Sequence, residues 1–264
     1  MFKVIIASIC IFIFAILMSM VGRGGGNFYV PILVAAGASM NQAATSAQLI
    51  LFVTAVVATL VFHKHKTVDW KLALVIDPPT DVMAFIGGYF AHCFTGYYLK
   101  FLFTGLLVLA AFFMLKPAKE HILYGKKHFG YWNRSFGEYR YSVNLWAAIP
   151  FTTVVGFFAG MVGISGGSFK IPLMVLVCGV PMKIAIGTSS AMVALTAFMG
   201  FAGHTMAGDL NVMWAVPMVC AAVIGGLLGG SISIKTNPDR LKKIFAYTTL
   251  AAAFFMAFSA YKGG

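Results

Sequence analysis

The chain reads as long apolar blocks separated by short polar punctuation. Blocks near 1–21, 42–62, 70–92 and 97–115 are followed by a second set near 143–162, 184–203, 211–233 and 241–261. Each reaches the ~20 apolar residues that a helix needs to cross a bilayer. After the first block of each set comes a shorter run, 28–37 or 169–179, that opens on a glycine cluster and a proline. At ~1.5 Å per residue such a run covers only about half of the ~30 Å hydrocarbon core. The short runs therefore predict half-length helices, broken or re-entrant. Residues 1–20 resemble a signal peptide in length, but only Lys3 precedes the apolar stretch and no A-x-A-like site follows. With a counterpart at 143–162, the segment is kept as a span.

The two sets are copies of one another. Pro31 and Pro172 stand 141 positions apart, and Thr45-Ser46 and Thr188-Ser189 stand 143 apart. YLKFLFTGLLVLAAFFMLK from Tyr98 matches RLKKIFAYTTLAAAFFMAF from Arg240 at 142. Glycine break, Val/Ile-Pro, Thr-Ser, Gly-Gly, Leu-Lys and Ala-Ala-Phe-Phe-Met keep their order in both halves, as a duplication does. This divides the chain into a first membrane repeat (1–116), a basic, aromatic linker (117–142) expected as a solvated or interfacial cytoplasmic connector, and a second membrane repeat (143–264).

Loop charge predicts how the repeats are inserted. HKHKTVDWK at 63–71 is basic, whereas its partner GHTMAGDLN at 203–211 has no Lys or Arg. AHCFTGYYLK at 91–100 carries one lysine against the basic KTNPDRLKK at 235–243, and the basic linker is matched by a C-terminal tail holding only Lys262. Since basic loops stay cytoplasmic, the halves are expected upside down relative to each other. That requires an odd number of crossings per half, so the glycine break counts as part of a crossing. The expected fold is an all-α integral membrane protein of two inverted-topology repeats. Each has four long transmembrane helices plus a short broken or re-entrant helix. Inverted repeats with discontinuous helices point to secondary transport, with substrate bound where the repeats meet.

Composition agrees with a membrane protein. Of 264 residues 60% are hydrophobic and 10% charged, with a mean hydropathy of +0.90. A soluble domain has roughly a quarter charged residues. The net charge of +12 suits cytoplasmic anchoring and also attracts anions. Cys10, Cys93, Cys178 and Cys220 are scattered through apolar segments with no CxxC spacing and read as inert. No cofactor, metal site or nucleic-acid partner is expected. The expected partners are a small anion and the bilayer of the cytoplasmic membrane, with homo-oligomerisation open.

The candidate chemistry lies in the breaks, GRGGGNFYVPIL at 22–33 and GISGGSFKIPLM at 163–174. Irregular backbone at membrane depth is tolerated where protein buries it or where it lines a wet cavity. Gly24, Gly25 and Gly26 let a ligand approach a helix N-terminus, whose free N–H groups favour anions. Ser165, Gly166, Gly167 and Ser168 form the matching cradle. Asn27 and Ser168 occupy equivalent positions and can donate to a ligand or cap a helix. Glycines also serve close helix packing, and both readings stay open. Each half adds one cation, Arg23 or Lys170, whose counterparts are Ile164 and Tyr29. A charge at that depth is expensive and points to function, snorkelling being the alternative.

Thr45, Ser46 and Gln48, matched by Thr188, Ser189 and Ser190, can cap the next helix or donate to an oxyanion. Asp77 and Asp81, the acids of LALVIDPPTDVMAFIGG, share a face at a spacing of four, with a kink expected at Pro78-Pro79. They can carry protons or pair with Arg23 or Lys170. The second half has Cys220 and Ile224 roughly there. His63 and His65 read as solvated, and His92 and His204 as interfacial.

Taken together, GRGGGNFYVPIL followed by AATS, and GISGGSFKIPLM followed by IGTSSAM, make the chain resemble the TauE/SafE family of sulfite and organosulfonate exporters. The resemblance covers essentially the whole chain. It implies export of small sulfur-containing or carboxylate anions across the cytoplasmic membrane. The Asp77–Asp81 stretch stands where that pattern has small, glycine-rich residues. An anion channel or a permease for another oxyanion is the alternative of the same architecture. A membrane enzyme would need a nucleophile, metal cluster or P-loop, and no such motif is present.

Overall fold

The computed structural model describes residues 2–115, 129–164, 166–207 and 212–262. The first half contains α1 (Phe2–Met20), α2 (Gly26–Ala36), α3 (Met40–Lys64), α4 (Trp70–Ile76), α5 (Pro78–Phe90) and α6 (Gly96–Leu115). The second contains α7 (Leu145–Val162), α8 (Gly167–Pro172) continued by a π-helical turn (Leu173–Val177), α9 (Met182–Met206), α10 (Val212–Lys235) and α11 (Pro238–Lys262). Among the described residues, four helices are long and apolar enough to cross a membrane: Met40–Lys64, Leu145–Val162, Met182–Met206 and Val216–Lys235. The short runs form half-length helices after each break.

Two expectations need correction. The span at 70–92 is interrupted at Asp77, because Pro78 and Pro79 remove two consecutive amide donors and crowd the preceding turn. The interruption stays shallow: Asp77 donates its N–H to Ala73 and accepts that of Asp81, so both carboxylates keep the shared face. The fold is also not all-α. Tyr131–Phe136 (β1) and Tyr139–Asn144 (β2) pair as an antiparallel hairpin about Gly137-Glu138. The connector expected at 117–142 is thus ordered over its second part; residues 116–128 lie outside the described residues.

The duplication appears as paired contacts. α1 packs on α10 as α7 packs on α5, α10 packs on α3 as α5 packs on α9, and α3 with α9 and α6 with α11 each join a helix to its own repeat counterpart. Close backbone approaches match as well. Gly22, at φ +68°, abuts the carbonyl of Ile186, and Gly163, at φ +75°, abuts Ala44. Both pairs obey the repeat offset of 141 or 142. At each site a side chain would occupy the neighbouring backbone and face a positive φ. Gly87 on Phe157 and Gly229 on Ile16 repeat the logic between the long helices.

α3 and α9 run antiparallel. Gln48, early in α3, lies beside Gly200, late in α9, while Thr59, late in α3, donates to Ser190, early in α9. The loop 63–71 and the start of 235–243 gather at one end of the bundle: Thr67 lies against Gly187, and Lys183 donates to the carbonyl of Ile234. The opposite end holds Gly163 on Ala44 and Gly96 on Met40.

The hairpin docks at the basic end through Asp69. This buried carboxylate caps α4 by accepting the N–H groups of Lys71 and Leu72 (3.1 and 3.2 Å). It also receives a two-pronged bond from Arg134 (2.9 Å each) and the Tyr141 hydroxyl. Its own N–H donates to Thr188 on α9. Burial opposes ionisation, yet the bonds from Arg134 and Tyr141 outweigh it and hold the Asp69 carboxyl below the usual range. A depressed folded value contributes stability above the unfolded pKa, and that stability is lost as pH falls through the folded one. Hairpin amides should therefore show high protection factors at pH 7, and the protection should fall as the pH drops through the folded-state pKa of Asp69. Asp69→Asn should exchange quickly throughout, losing at least the ~1.5–3 kcal/mol of a charged hydrogen bond. Equal protection in that variant would show that the clasp does not hold the hairpin.

Candidate functional site

The two glycine breaks, 141 residues apart in sequence, meet inside the bundle between α3 and α9. At the first, α1 ends as the Arg23 N–H returns to the Met18 carbonyl, and at the second Ile164 returns to Ala159 in the same way. The chain then turns inward, and Gly24 and Gly25 take φ of +69° and +109° before α2 begins. A side chain on Gly24 would meet Leu51 and Val193, one from each half. A Cβ on Gly167 would stand 2.7 Å from Val193 Cγ2, 2.9 Å from Ser189 Oγ and 3.2 Å from the Gly22 carbonyl. A Cβ on Gly25 would strike the Tyr29 ring, which folds back over its own helix start. The packing reading of these glycines is therefore correct as far as it goes. Valine at 25 or 167 would disturb the core, so it is no clean test of ligand contact.

Arg23 bridges the halves. Its guanidinium donates to Ser168 Oγ at 2.7 Å and to Thr249 on α11, and Ser168 donates to Asn27 Oδ1 at 3.0 Å. All four side chains are buried. The repeat counterparts of Arg23 and Thr249 are Ile164 and Leu107, both apolar and buried, so this cluster occurs once. Asn27 and Ser168 bond across the motifs and cap neither helix: α2 and α8 have Gly25 and Gly166 at the N-cap. Ser165 lies outside the described residues. Gly26 begins α2, buried beside Asn27.

Lys170 forms a second cluster. Its ammonium lies over Gly166, as Tyr29 lies over Gly25. It pairs with Asp77 and donates to Thr196 Oγ1 at 2.7 Å. Asp81 Oδ1 stands 2.7 Å from the same hydroxyl, and Asp77 Oδ1 stands 3.5 Å away. Of the two pairings open for the acids, Asp77 adopts the one with Lys170. In the first half the same geometry is neutral, with Tyr29 hydroxyl 3.2 Å from Thr54 Oγ1. At the 142 offset Val219 and Val223 stand where the acids would be. Thr196 and Thr249 are the residues that the sequence reading missed. Thr196 was traceable as the repeat partner of Thr54, whereas Thr249 had no local signal.

The hydroxyl cluster is a turn or more inside its helices, so capping is overturned. Ser39 caps α3, and Pro181 precedes α9. Thr45 bonds back to Asn41, Ser46 is buried, and Thr188 receives Asp69. Ser190 bonds across to α3. The helix starts Met40 and Met182 set the register at 142, placing Ser46 opposite Thr188. Among the described residues, Ser189 Oγ, both polar atoms of Gln48 and Asn27 Nδ2 are buried with no partner. Such groups cost ~1–3 kcal/mol each when unsatisfied; Ser189 Oγ lies against Gly167 and Asn27 follows the first break, whereas Gln48 lies beside Gly200. His204 is no interfacial residue: it is buried, donating its Nε2–H to the Gly160 carbonyl (2.9 Å) and packing on Gly88.

Sequence comparison gives a consistent picture. The profile of the family described as sulfite exporter TauE/SafE matches residues 7–256. The chain is 30% identical over 239 residues to the probable membrane transporter protein YunE of Bacillus subtilis, covering 86% of this chain and 87% of that protein. It is 23% identical over 261 residues to the probable membrane transporter protein MJ0441 of Methanocaldococcus jannaschii, covering 93% and 92%. A 111-residue stretch is 32% identical to the probable membrane transporter protein MamO of Magnetospirillum gryphiswaldense, covering 39% of this chain and 17% of that protein. No solved structure matches.

Proposed function

This chain belongs to the sulfite exporter TauE/SafE family, and from that membership we infer a secondary transporter that moves a small oxyanion, sulfite or an organosulfonate, out through the cytoplasmic membrane. The observation that carries this reading is the meeting of the two breaks. Arg23 and Ser168 from opposite halves converge there, beside Asn27 Nδ2 and Ser189 Oγ, which lack partners among the described residues. A guanidinium and neutral donors at a helix start are the groups an oxyanion prefers. Lys170 with Asp77 and Asp81 supplies the titratable cluster for coupling to protons. Both clusters are buried, as an occluded carrier has them and an open anion pore does not.

The test is a flux screen in proteoliposomes. Sulfite, sulfate, thiosulfate, taurine, sulfoacetate and small carboxylates are compared at two pH values. Saturable sulfite or sulfonate flux accelerated by a proton gradient is expected. Flux that never saturates would indicate a channel, and flux of carboxylates alone would replace the cargo.

Inverted insertion of the halves is part of the same proposal. The antiparallel α3 and α9, and the basic loops at one end, support it. In a cysteine-free background, His65→Cys is expected to react with an impermeant maleimide only from the cytoplasmic face and Met206→Cys only from the outer face. Labelling of both from one face would exclude inversion.

A further inference from the structure

The hydroxyl of Thr196 has one proton and two lone pairs, and more neighbours than that proton can serve. Lys170 Nζ, at 2.7 Å, has only donors and so occupies a lone pair. The Met192 carbonyl at 2.9 Å and Asp81 Oδ1 at 2.7 Å remain. A carbonyl only accepts. If Asp81 were ionised it too would only accept, and one proton would face two acceptors.

The duplicated half shows how this hydroxyl is used when no acid is present. Thr54, the counterpart of Thr196, gives its proton to the carbonyl of Ile50, one turn back, at 2.7 Å. Its lone pair faces the Tyr29 hydroxyl, the counterpart of Lys170. Transferred to the second half, the Thr196 proton belongs to Met192 and Lys170 takes one lone pair. The second lone pair is then free to accept from Asp81, provided that Asp81 carries a proton of its own. Asp77 is not placed for that role: its Oδ1 holds the Lys170 ammonium and stands 3.5 Å from the Thr196 hydroxyl, and its Oδ2 meets no hydrogen-bond partner among the described residues.

We propose that the two acids divide the work: Asp77 is the fixed counter-ion of Lys170, and Asp81 carries the exchangeable proton, donated to Thr196, which acts as its positioning residue. The balance is simple. Lys170 and ionised Asp77 cancel, and protonated Asp81 leaves the cluster neutral, as burial favours. Release of that one proton gives the cluster a single negative charge. The charged or titratable side chains around Asp81 are Asp77 on its own helical path, Lys170 from α8 and, about two turns beyond Asp81 along α5, His204 from α9. α7 contributes none. The assignment deepens the transport reading, on which it relies only for the use made of the proton.

Infrared titration of the purified full-length protein tests it without any substrate. A carboxylic acid C=O band should be present near neutral pH and disappear on alkalinisation. Asp81→Asn should remove it while leaving folded yield near wild type, because asparagine mimics a neutral acid. The double variant Asp77→Asn, Lys170→Met should retain it. Thr196→Val should move the midpoint to lower pH by about one unit, a tenfold effect, and Thr196→Ser should restore it. Persistence of the band in Asp81→Asn, its loss in the double variant, or a midpoint moved upward in Thr196→Val would each overturn the assignment. Sulfite flux in proteoliposomes separates the two readings. With the band behaving as stated, absence of sulfite flux in the wild type refutes the cargo and leaves the proton site standing.

Discussion

Asp77→Asn is expected to reduce the folded, membrane-inserted yield severely, and Lys170→Met added to it should restore much of the loss. Lys170 and Asp77 are both about 1% exposed. Removing one member of a buried pair strands the other and typically costs ~3–5 kcal/mol, whereas replacing both with apolar or neutral groups is far milder. Asp81 stands close enough to soften the loss, but only by ionising, which would surrender its proton. Yield by fluorescence size exclusion in detergent, and melting of the purified variants, measure the cycle. The single and double variants melting alike would show that the pair is not coupled. The contrast with Asp81→Asn matters more than either value. Of two acids four residues apart, only Asp77 is expected to lose folded yield on the same substitution.

The second large effect concerns the anion. Arg23→Gln is expected to weaken sulfite binding by about ten- to a hundredfold, since a charged hydrogen bond contributes ~1.5–3 kcal/mol and 1.4 kcal/mol is a factor of ten. Arg23→Lys should fall between, keeping the charge but not the fork that reaches both Ser168 and Thr249. Initial rates of sulfite flux against concentration read the change as a raised half-saturation value. Ser168→Ala and Asn27→Ala probe the same junction with smaller side chains, each expected to lose about tenfold. Wild-type half-saturation in all of these would move the anion site away from the breaks.

Several features were legible in the chain because they rest on local chemistry or on repetition. Apolar block length announces spans, since every backbone group in lipid must be satisfied within a helix. The glycine breaks announce themselves because Gly22 and Gly163 combine a positive φ with a neighbouring backbone too close for a side chain. The offset of 141 to 143 made the Gly22–Ile186 and Gly163–Ala44 approaches two instances of one contact. The hairpin was hidden by its setting. YWNRSF and YRYSVN alternate around Gly137-Glu138, but charge and aromatic content in a basic linker masked that period.

By itself, the sequence determined the membrane class, the duplication, the half-length helices and the residues on which function was to be sought. Tertiary structure decided their company. It placed Arg23 with Ser168 and Thr249, Lys170 with Asp77, and Thr196 between the acids; it also turned Thr188 and Ser190, read as caps or oxyanion donors, into contacts between halves. The reason is physical. Caps, breaks and spans depend on neighbours within a few residues, which the sequence states directly. Pairing of buried charges depends on which helix faces fall opposite one another across 93 to 226 positions of chain, and the burial that makes each pairing strong exists only once those faces have met.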